Sequence, residues 1–334
     1  KRSASIDTSN DRGKALVQSI AATVDVVLAN LRPGATARMG ISTELNPRLV
    51  ETHITGYGFT GPYSRRPGID PLAQALMGLQ RAQGGAGNPP SFPAQLAPTD
   101  FTTGAMGAFG TVLALFARER GAGPQQVEVN LLDGGVMLSS EWFTRYNGRP
   151  VRALADGGQH GHNPMHRLYQ LQDGWVYVTA DDAASRAAFA EVVGVPDPGL
   201  PEMYTPTGAH PNDTDVGAQF SASLASRTLA DVVEGLRAAG VPHSPVMGGD
   251  SRVFFSDPHA QENGKTVTRN HPNAGQLTVA WKYIGFGGST DPNGRPTPLL
   301  GEHNGDVLSE AGLSETQIAA LDAEGLIKTE LPVS

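Results

Sequence analysis

Two short apolar segments, Val24-Asp25-Val26-Val27-Leu28-Ala29 and Leu49-Val50-Glu51-Thr52-His53-Ile54-Thr55, each run straight into a glycine- and proline-rich turn. The first turn is Asn30-Leu31-Arg32-Pro33-Gly34 and the second is Gly56-Tyr57-Gly58-Phe59-Thr60-Gly61-Pro62. Parallel strands cannot be joined by a tight hairpin; they need a crossover, most often a helix. A helical segment precedes the first strand, because residues 11–22 place Ala15, Leu16, Ile20 and Ala21 along one face. Pro33-Gly34 breaks the first strand and turns the chain towards a short helix. This alternation predicts an α/β fold whose two turns border a ligand crevice at the carboxyl edge of a parallel sheet.

The pattern continues along the chain. Residues 70–80 read as helix, 84–98 as an irregular loop, and 101–117 as a long apolar helix opened by Asp100 and closed by Arg118, Arg120 and Gly121. No apolar run reads as a membrane span: Gly104, Gly107 and Gly110 interrupt this one, charges flank it, and it is expected to be a buried core helix. Residues 125–129 form a short strand and 131–142 another helix. Between 145 and 164 the composition shifts to Gly, Asn, His and Arg, which suggests a crossing between domains. Beyond it, residues 168–180 alternate as strands about Asp173-Gly174, a hairpin signal. A helix over 229–239 passes through Gly240 and Val241-Pro242 into a strand, 276–284 is a further strand, and 314–324 is a helix capped by Ser314. A larger α/β domain is thus followed by a smaller α+β one.

Composition narrows the function classes. The 334 residues carry 25 basic and 33 acidic side chains, a formal net charge of −8, with no basic block to serve as a nucleic-acid footprint. With no cysteine, disulfides, thiolate metal sites and cysteine nucleophiles are excluded together, and the balance fits a cytoplasmic enzyme. No hydrophobic region follows Lys1-Arg2-Ser3-Ala4 to make a signal peptide. The chain also contains no phosphate-binding P-loop, nucleophile-elbow serine or dinucleotide fingerprint.

Three groups of side chains carry chemistry. Asp100 stands before an apolar helix, where an ordinary N-cap accepts backbone N–H bonds. The same placement beside a Gly/Pro-rich loop suits a carboxylate that attacks an acyl carbonyl, with nearby N–H groups stabilising the oxyanion. Asn30, Arg32 and Arg38 follow a strand end, where the arginines either pair with phosphate or carboxylate groups or are simply solvated. His160, His162 and His166 crowd one loop, but no acid or cysteine joins them at a ligand spacing, so no metal site is expected.

The run from Val24 through Asn30-Leu31-Arg32-Pro33-Gly34 closely resembles the class III coenzyme A transferases of the CaiB/BaiF type, which include formyl-CoA transferase. Other stretches match that family in order: Lys1-Arg2-Ser3, Asn46-Pro47-Arg48-Leu49, Gly56-Tyr57-Gly58-Phe59-Thr60-Gly61-Pro62-Tyr63, Arg66-Pro67-Gly68-Ile69-Asp70 and Asp100-Phe101-Thr102-Thr103-Gly104. Arg118-Glu119-Arg120, Leu131-Leu132-Asp133, Asp173-Gly174-Trp175, Ala239-Gly240-Val241-Pro242, Asp257-Pro258-His259 and Leu299-Leu300-Gly301-Glu302-His303 complete the series.

The resemblance implies an interlocked homodimer built from a large Rossmann-like CoA-binding domain (1–148), a linker with a small α+β domain (149–270), and a C-terminal segment (271–334) returning to the large domain. It implies CoA transfer from an acyl-CoA to a carboxylic acid, with no permanently bound cofactor. Asp100 matches the nucleophilic aspartate, which forms an acyl anhydride and then an aspartyl-CoA thioester. Asn30, Leu31 and Arg32 match the lining of the CoA site, and Arg38 a basic residue near its phosphates. Ile6 and Ser9 fall where the family contacts the nucleotide part, and Pro67, Gly68, Ile69 and Asp70 where it meets the pantetheine and active-site region. Gly157-Gly158 is a loose match to a loop covering the intermediate. The family also contains α-methylacyl-CoA racemases, whose histidine base falls at the position of Ile69; an isoleucine moves no proton, which favours transferase over racemase or epimerase. Lys1-Arg2-Ser3 matches a point already inside the family's fold. The resemblance therefore implies that an opening strand–helix–strand region of about 60 residues lies outside this chain, at about 30 residues per βαβ unit. A non-catalytic CoA-binding half of a longer protein is the remaining alternative.

Overall fold

The structure is a computed structural model describing residues 1–92, 96–149, 154–199, 210–249, 251–281, 283–285 and 295–330. The first elements are α1 (Asp11–Ala21), β1 (Val26–Ala29), α2 (Ala35–Arg38) and β2 (Val50–Thr55). Next come α3 (Asp70–Leu76), α4 (Leu79–Gly84), α5 (Pro98–Ala117), β3 (Gln125–Asn130) and α6 (Leu131–Leu138). They are followed by β4 (Gly161–Asn163), β5 (His166–Gln170), β6 (Trp175–Thr179), α7 (Ala183–Val193), α8 (Asp215–Ala225), α9 (Leu229–Ala238) and β7 (His243–Pro245). The last are α10 (Ser251–Ser256), α11 (Pro258–Glu262), β8 (Thr266–His271), β9 (Gly275–Ala280), α12 (Asn304–Glu310) and α13 (Glu315–Ala323). Contacts group these into two compact units that are discontinuous in sequence. One comprises Lys1–Pro67, Thr103–Asn130 and Gly249–Ser334, the other Gly68–Thr102 and Leu131–Gly248.

In the first unit β1, β2 and β3 form a parallel sheet in that order, with Ala29 beside His53 and Thr55 beside Asn130. This is the α/β alternation read from the sequence. The central β2 is buried at every position but Ile54, as a strand covered on both faces must be. On one face lies α5. Thr111 and Thr52 share a hydrogen bond of 2.6 Å between their hydroxyls. The side of α5 turned to the sheet is made of small residues. A Cβ added at Gly107 would stand 3.3 Å from Ile54 Cδ1, and one at Gly110 only 2.8 Å from Val127 Cγ1.

This packing overturns the expectation of a buried core helix. Glycines take the contact with the sheet, so the bulky residues Phe101 (78% exposed), Phe109, Val112, Leu113 and Phe116 point outward. With the π-helical turn Arg118–Ala122 that continues it, the helix is long and apolar enough, by length and composition, to cross a membrane. The sequence reading found no such run because it took the three glycines as interruptions.

Two apolar clusters complete this unit: Ala21, Ile41 and Leu49 with Val17 and Val27, and Leu16, Leu308, Leu321, Leu326 and Ile327 with Ile6 and Ile20. A β-bridge pairs Ile6 with Ile327, so the first residues of the chain lie against the last helix pair. Ser314 caps α13 in a reciprocal capping box with Gln317, as the sequence indicates.

In the second unit β4, β5, β6 and β7 form an antiparallel sheet. The β5–β6 hairpin closes with Leu171 N–H donating to Gly174 O at 2.8 Å, matching the signal at Asp173-Gly174. Its core is Tyr169, Val176, Val178, Phe189, Phe220, Leu224, Val232 and Leu236. Two helices expected to be continuous are not. Residues 70–80 split into α3 and α4 because Gly78 adopts φ 76°, and the helix from 131 stops at Leu138 before a separate 3₁₀ turn, Ser140–Phe143. The strand expected over 276–284 ends at Ala280.

Because Gly110 has no room for a side chain against Val127, Gly110→Val is expected to destabilise the fold by about 1–3 kcal/mol through overpacking. The midpoint of urea unfolding measures it.

Candidate active site

Asp100 does not cap α5. The helix begins at Pro98, so Asp100 sits in its first turn, and the residue before the helix, Ala97, has no side-chain acceptor. The cap comes from Asp70, the first residue of α3. Its Oδ1 accepts from Thr99 N–H at 2.9 Å, from the Thr99 hydroxyl at 2.5 Å and from Asp100 N–H at 3.4 Å. Its Oδ2 accepts a short hydrogen bond from Gln74 Nε2, and Gln83 Nε2 in turn donates to Gln74 Oε1 at 3.1 Å. Asp70 is 3% exposed, and Thr99 and Gln74 are fully buried. A carboxylate thus takes up the orphan amides that every helix start presents, meeting the positive end of the dipole.

With the amides satisfied by Asp70, the Asp100 side chain is released for other work. It is exposed, and no hydrogen bond or ion pair engages its carboxylate among the described residues. Partial burial, and then the negative charge of Asp70, push the Asp100 carboxyl above the ordinary aspartate range. Ile69, beside Asp70, is 60% exposed, and no proton-carrying group stands at its position.

In the first unit, Arg32, Pro33, Arg38, Phe59, Ser64 and Arg65 line a cavity of 480 Å³. Arg32 and Arg38 are brought there by a type II turn: Ala35 N–H donates to Arg32 O at 3.1 Å, and Gly34 adopts φ 79° after Pro33. Gly34 is required there, because that conformation is strained for any other residue and Arg38 Nη1 lies 3.3 Å from where a Cβ would sit. Asn30 and Leu31 are exposed just after β1. The loop after β2 is pinned by Phe59 N–H donating to Glu128 Oε1 at 2.7 Å, and Phe59 packs edge-on against the His53 ring. Arg65 was missed in the sequence reading; its signal was the Ser64-Arg65-Arg66 run after the Gly61-Pro62 turn. Among the described residues no ion pair engages these three guanidiniums, so their chemistry suits an anion such as a phosphate or carboxylate.

The remaining sequence candidates lie elsewhere. Ile6 is in the apolar cluster with Ile327, and Ser9 N–H donates to Asp7 Oδ1 at 2.9 Å on the surface. Pro67 is exposed and Gly68 half-buried. Of the three histidines, His162 and His166 meet edge-on with ring centroids 5.9 Å apart and His166 Nδ1 lies 3.2 Å from Asp181 Oδ1, while His160 Nδ1 lies 3.3 Å from Asp156 Oδ2 and its ring stacks on Trp175. The Gly157-Gly158 loop is tied to residues 84–88. Asn88 Nδ2 donates to Gly157 O at 2.7 Å and Gln159 Nε2 to Gly84 O at 3.2 Å. Residues 150–153 of the expected domain crossing lie outside the described residues.

The described residues thus hold an exposed carboxylate at the start of α5 in one unit and an arginine-lined cavity in the other. Residues 1–304 match the model of CoA-transferase family III, and the chain belongs to that family of enzymes. It is 27% identical to the succinyl-CoA:glutarate CoA-transferase of Mus musculus, covering 98% of this chain and 76% of that protein. The formyl-CoA:oxalate CoA-transferase of Streptomyces avermitilis is also 27% identical, over 98% of this chain and 84% of that one. The fold matches the crystal structure of a CAIB/BAIF family protein from Brucella suis at a TM-score of 0.74 and 21% identity, covering 92% of this chain and 80% of that one.

Arg65→Ala is expected to weaken CoA binding roughly tenfold, the worth of one charge-assisted hydrogen bond, with a smaller loss at high salt. Calorimetric titration of CoA at two ionic strengths checks this.

Proposed function

We propose that this chain moves coenzyme A from an acyl-CoA donor to a carboxylic acid, with Asp100 as the nucleophile. The observation that carries the reading is the freed, exposed Asp100 carboxylate at the start of α5, held more basic than an ordinary aspartate. One Asp100 oxygen attacks the thioester carbonyl; the C–S bond breaks, and CoA thiolate leaves behind an acyl–aspartyl anhydride. The thiolate then attacks Asp100 Cγ, expelling the donor acid as its carboxylate and forming an aspartyl-CoA thioester. The acceptor carboxylate attacks the same carbon, again releasing thiolate, and thiolate attack on the acceptor's acyl carbon gives the new thioester and restores Asp100. Every step exchanges one acyl bond for another, so no oxidant or metal is called for. Because carboxylates are weak nucleophiles, rate must come from placement and desolvation.

Arg32, Arg38 and Arg65 are assigned to the CoA phosphates, and Asn30 and Leu31 to the wall of the same site. The relatives' names speak of succinyl, glutarate, formyl and oxalate groups; the donor and acceptor here are taken only as an acyl-CoA and a carboxylic acid. Racemisation at the α-carbon is disfavoured by Ile69, which removes one base from a two-base exchange. The outward apolar face of α5 supports assembly as an interlocked homodimer around a Rossmann-like large domain.

Acyl-CoA followed by hydroxylamine is expected to convert Asp100 to its hydroxamate, read by peptide mass, and Asp100→Asn is expected to abolish both labelling and transfer. Persisting transfer in that variant would falsify the mechanism. Since Asp100 must be ionised to attack and its carboxyl titrates above the ordinary range, single-turnover acylation is expected to fall off with acid at a higher pH than an unperturbed aspartate would give.

A further inference from the structure

We infer that Asp70 is the positioning residue of the nucleophile: by clasping the first turn of α5 from the neighbouring helix, it fixes where the Asp100 side chain points. The inference rests on Asp100 being the nucleophile and adds a residue whose task is different from holding CoA. Both Asp70 oxygens are occupied by protein donors, three on Oδ1 and Gln74 on Oδ2. The carboxylate is 3% exposed, so it has no free lone pair directed at solvent or ligand comparable with that of Asp100. It is instead the hub of a buried chain, Gln83 to Gln74 to Asp70 to Thr99, that ends on the backbone of the reacting residue.

Two consequences distinguish this arrangement from an ordinary cap. First, Ala97 before the helix offers no side-chain oxygen, so the amides of Thr99 and Asp100 find no local cap and are held by a residue about 30 positions earlier. Each N–H that Asp70 holds is one that would otherwise compete for the Asp100 carboxylate, since a side chain in a helix's first turn is within reach of those amides. Second, Asp70 brings a negative charge to the nucleophile. A like charge disfavours the ionised form of its neighbour and keeps that carboxylate more basic. Asp70→Asn removes the charge and turns one acceptor into an NH2 group that must face the Gln74 amide or the Thr99 donors, so it perturbs clasp and charge together, whereas Thr99→Val perturbs the clasp alone.

The test uses the full chain and reads acylation of Asp100 by acyl-CoA in single turnover, with steady-state kcat and KM alongside. In the unaltered protein Asp100 is labelled; if it is not, the transferase reading fails and this inference falls with it. Given labelling, Asp70→Asn is expected to lower kcat roughly 10- to 100-fold, the scale of misplacing a reacting group, with the KM for acyl-CoA changed by less than about threefold. The acid limb of the acylation profile is expected to move to lower pH, because the like charge is gone. The limb thus reads the charge that Asp70 brings to the nucleophile, and the fall of kcat at nearly constant KM reads its placement. Thr99→Val, which removes the hydroxyl bond to Asp70 and leaves the charge in place, is expected to lower kcat several-fold without moving the limb, and it serves if Asp70→Asn fails to fold. An unchanged kcat in either folded variant overturns the inference. So does a raised KM at constant kcat, which would make Asp70 a CoA contact, or an unmoved acid limb in Asp70→Asn.

Discussion

The Asp70 carboxylate, seated against the amides of Thr99 and Asp100, is the contact on which the candidate site depends. A helix start needs acceptors for its orphan N–H groups. In most helices the residue just before the first turn supplies one, and in α5 that residue is an alanine. Drawing the acceptor from α3 satisfies the helix and joins two elements distant in sequence. It also leaves the one carboxylate in that turn, Asp100, without structural duty. The buried Gln74 amide, itself engaged by the half-buried Gln83, donates to the capping carboxylate from behind.

The rest of α5 is governed by a different constraint. A helix can approach a parallel sheet closely only where its side chains are small, and Gly107 and Gly110 meet Ile54, Val129 and Val127 at distances that leave no room for a methyl group at the second position. The price is an outward face of Phe109, Val112, Leu113 and Phe116. The same helix is therefore long and apolar enough by composition to cross a membrane while its glycine side rests on a sheet.

The arginine-lined cavity follows from turn chemistry. Proline and glycine in Arg32-Pro33-Gly34-Ala35 make a type II turn that sets Arg32 and Arg38 on the same short loop and helix. The second Gly/Pro-rich turn, after β2, carries Phe59 to the cavity, and the chain beyond it brings Ser64 and Arg65. Placing these loops after the carboxyl ends of adjacent parallel strands is what makes a crevice there, as in other open α/β sheets.

Much of this was readable from the chain. Apolar runs ending in Gly/Pro turns located β1 and β2, the Asp173-Gly174 turn located a hairpin, and ordered motifs singled out Asp100, Arg32 and Arg38. The Gly78 break in the helix expected over 70–80 went unread because a single glycine inside a helical pattern does not announce its φ. The face of α5 that is buried was misjudged for a related reason: hydrophobicity reports which residues avoid water, whereas close packing selects the smallest ones. The sequence by itself determined the alternation of strands and helices and the family, and singled out Asp100 as the candidate carboxylate, because these rest on local pattern and motif order. Only the tertiary structure decided that Asp70 caps the helix of Asp100 and that Arg65 joins Arg32 and Arg38 at one cavity. Both are contacts between residues about thirty positions apart, and no local spacing encodes which distant partner a hydrogen bond or a cluster of like charges will find.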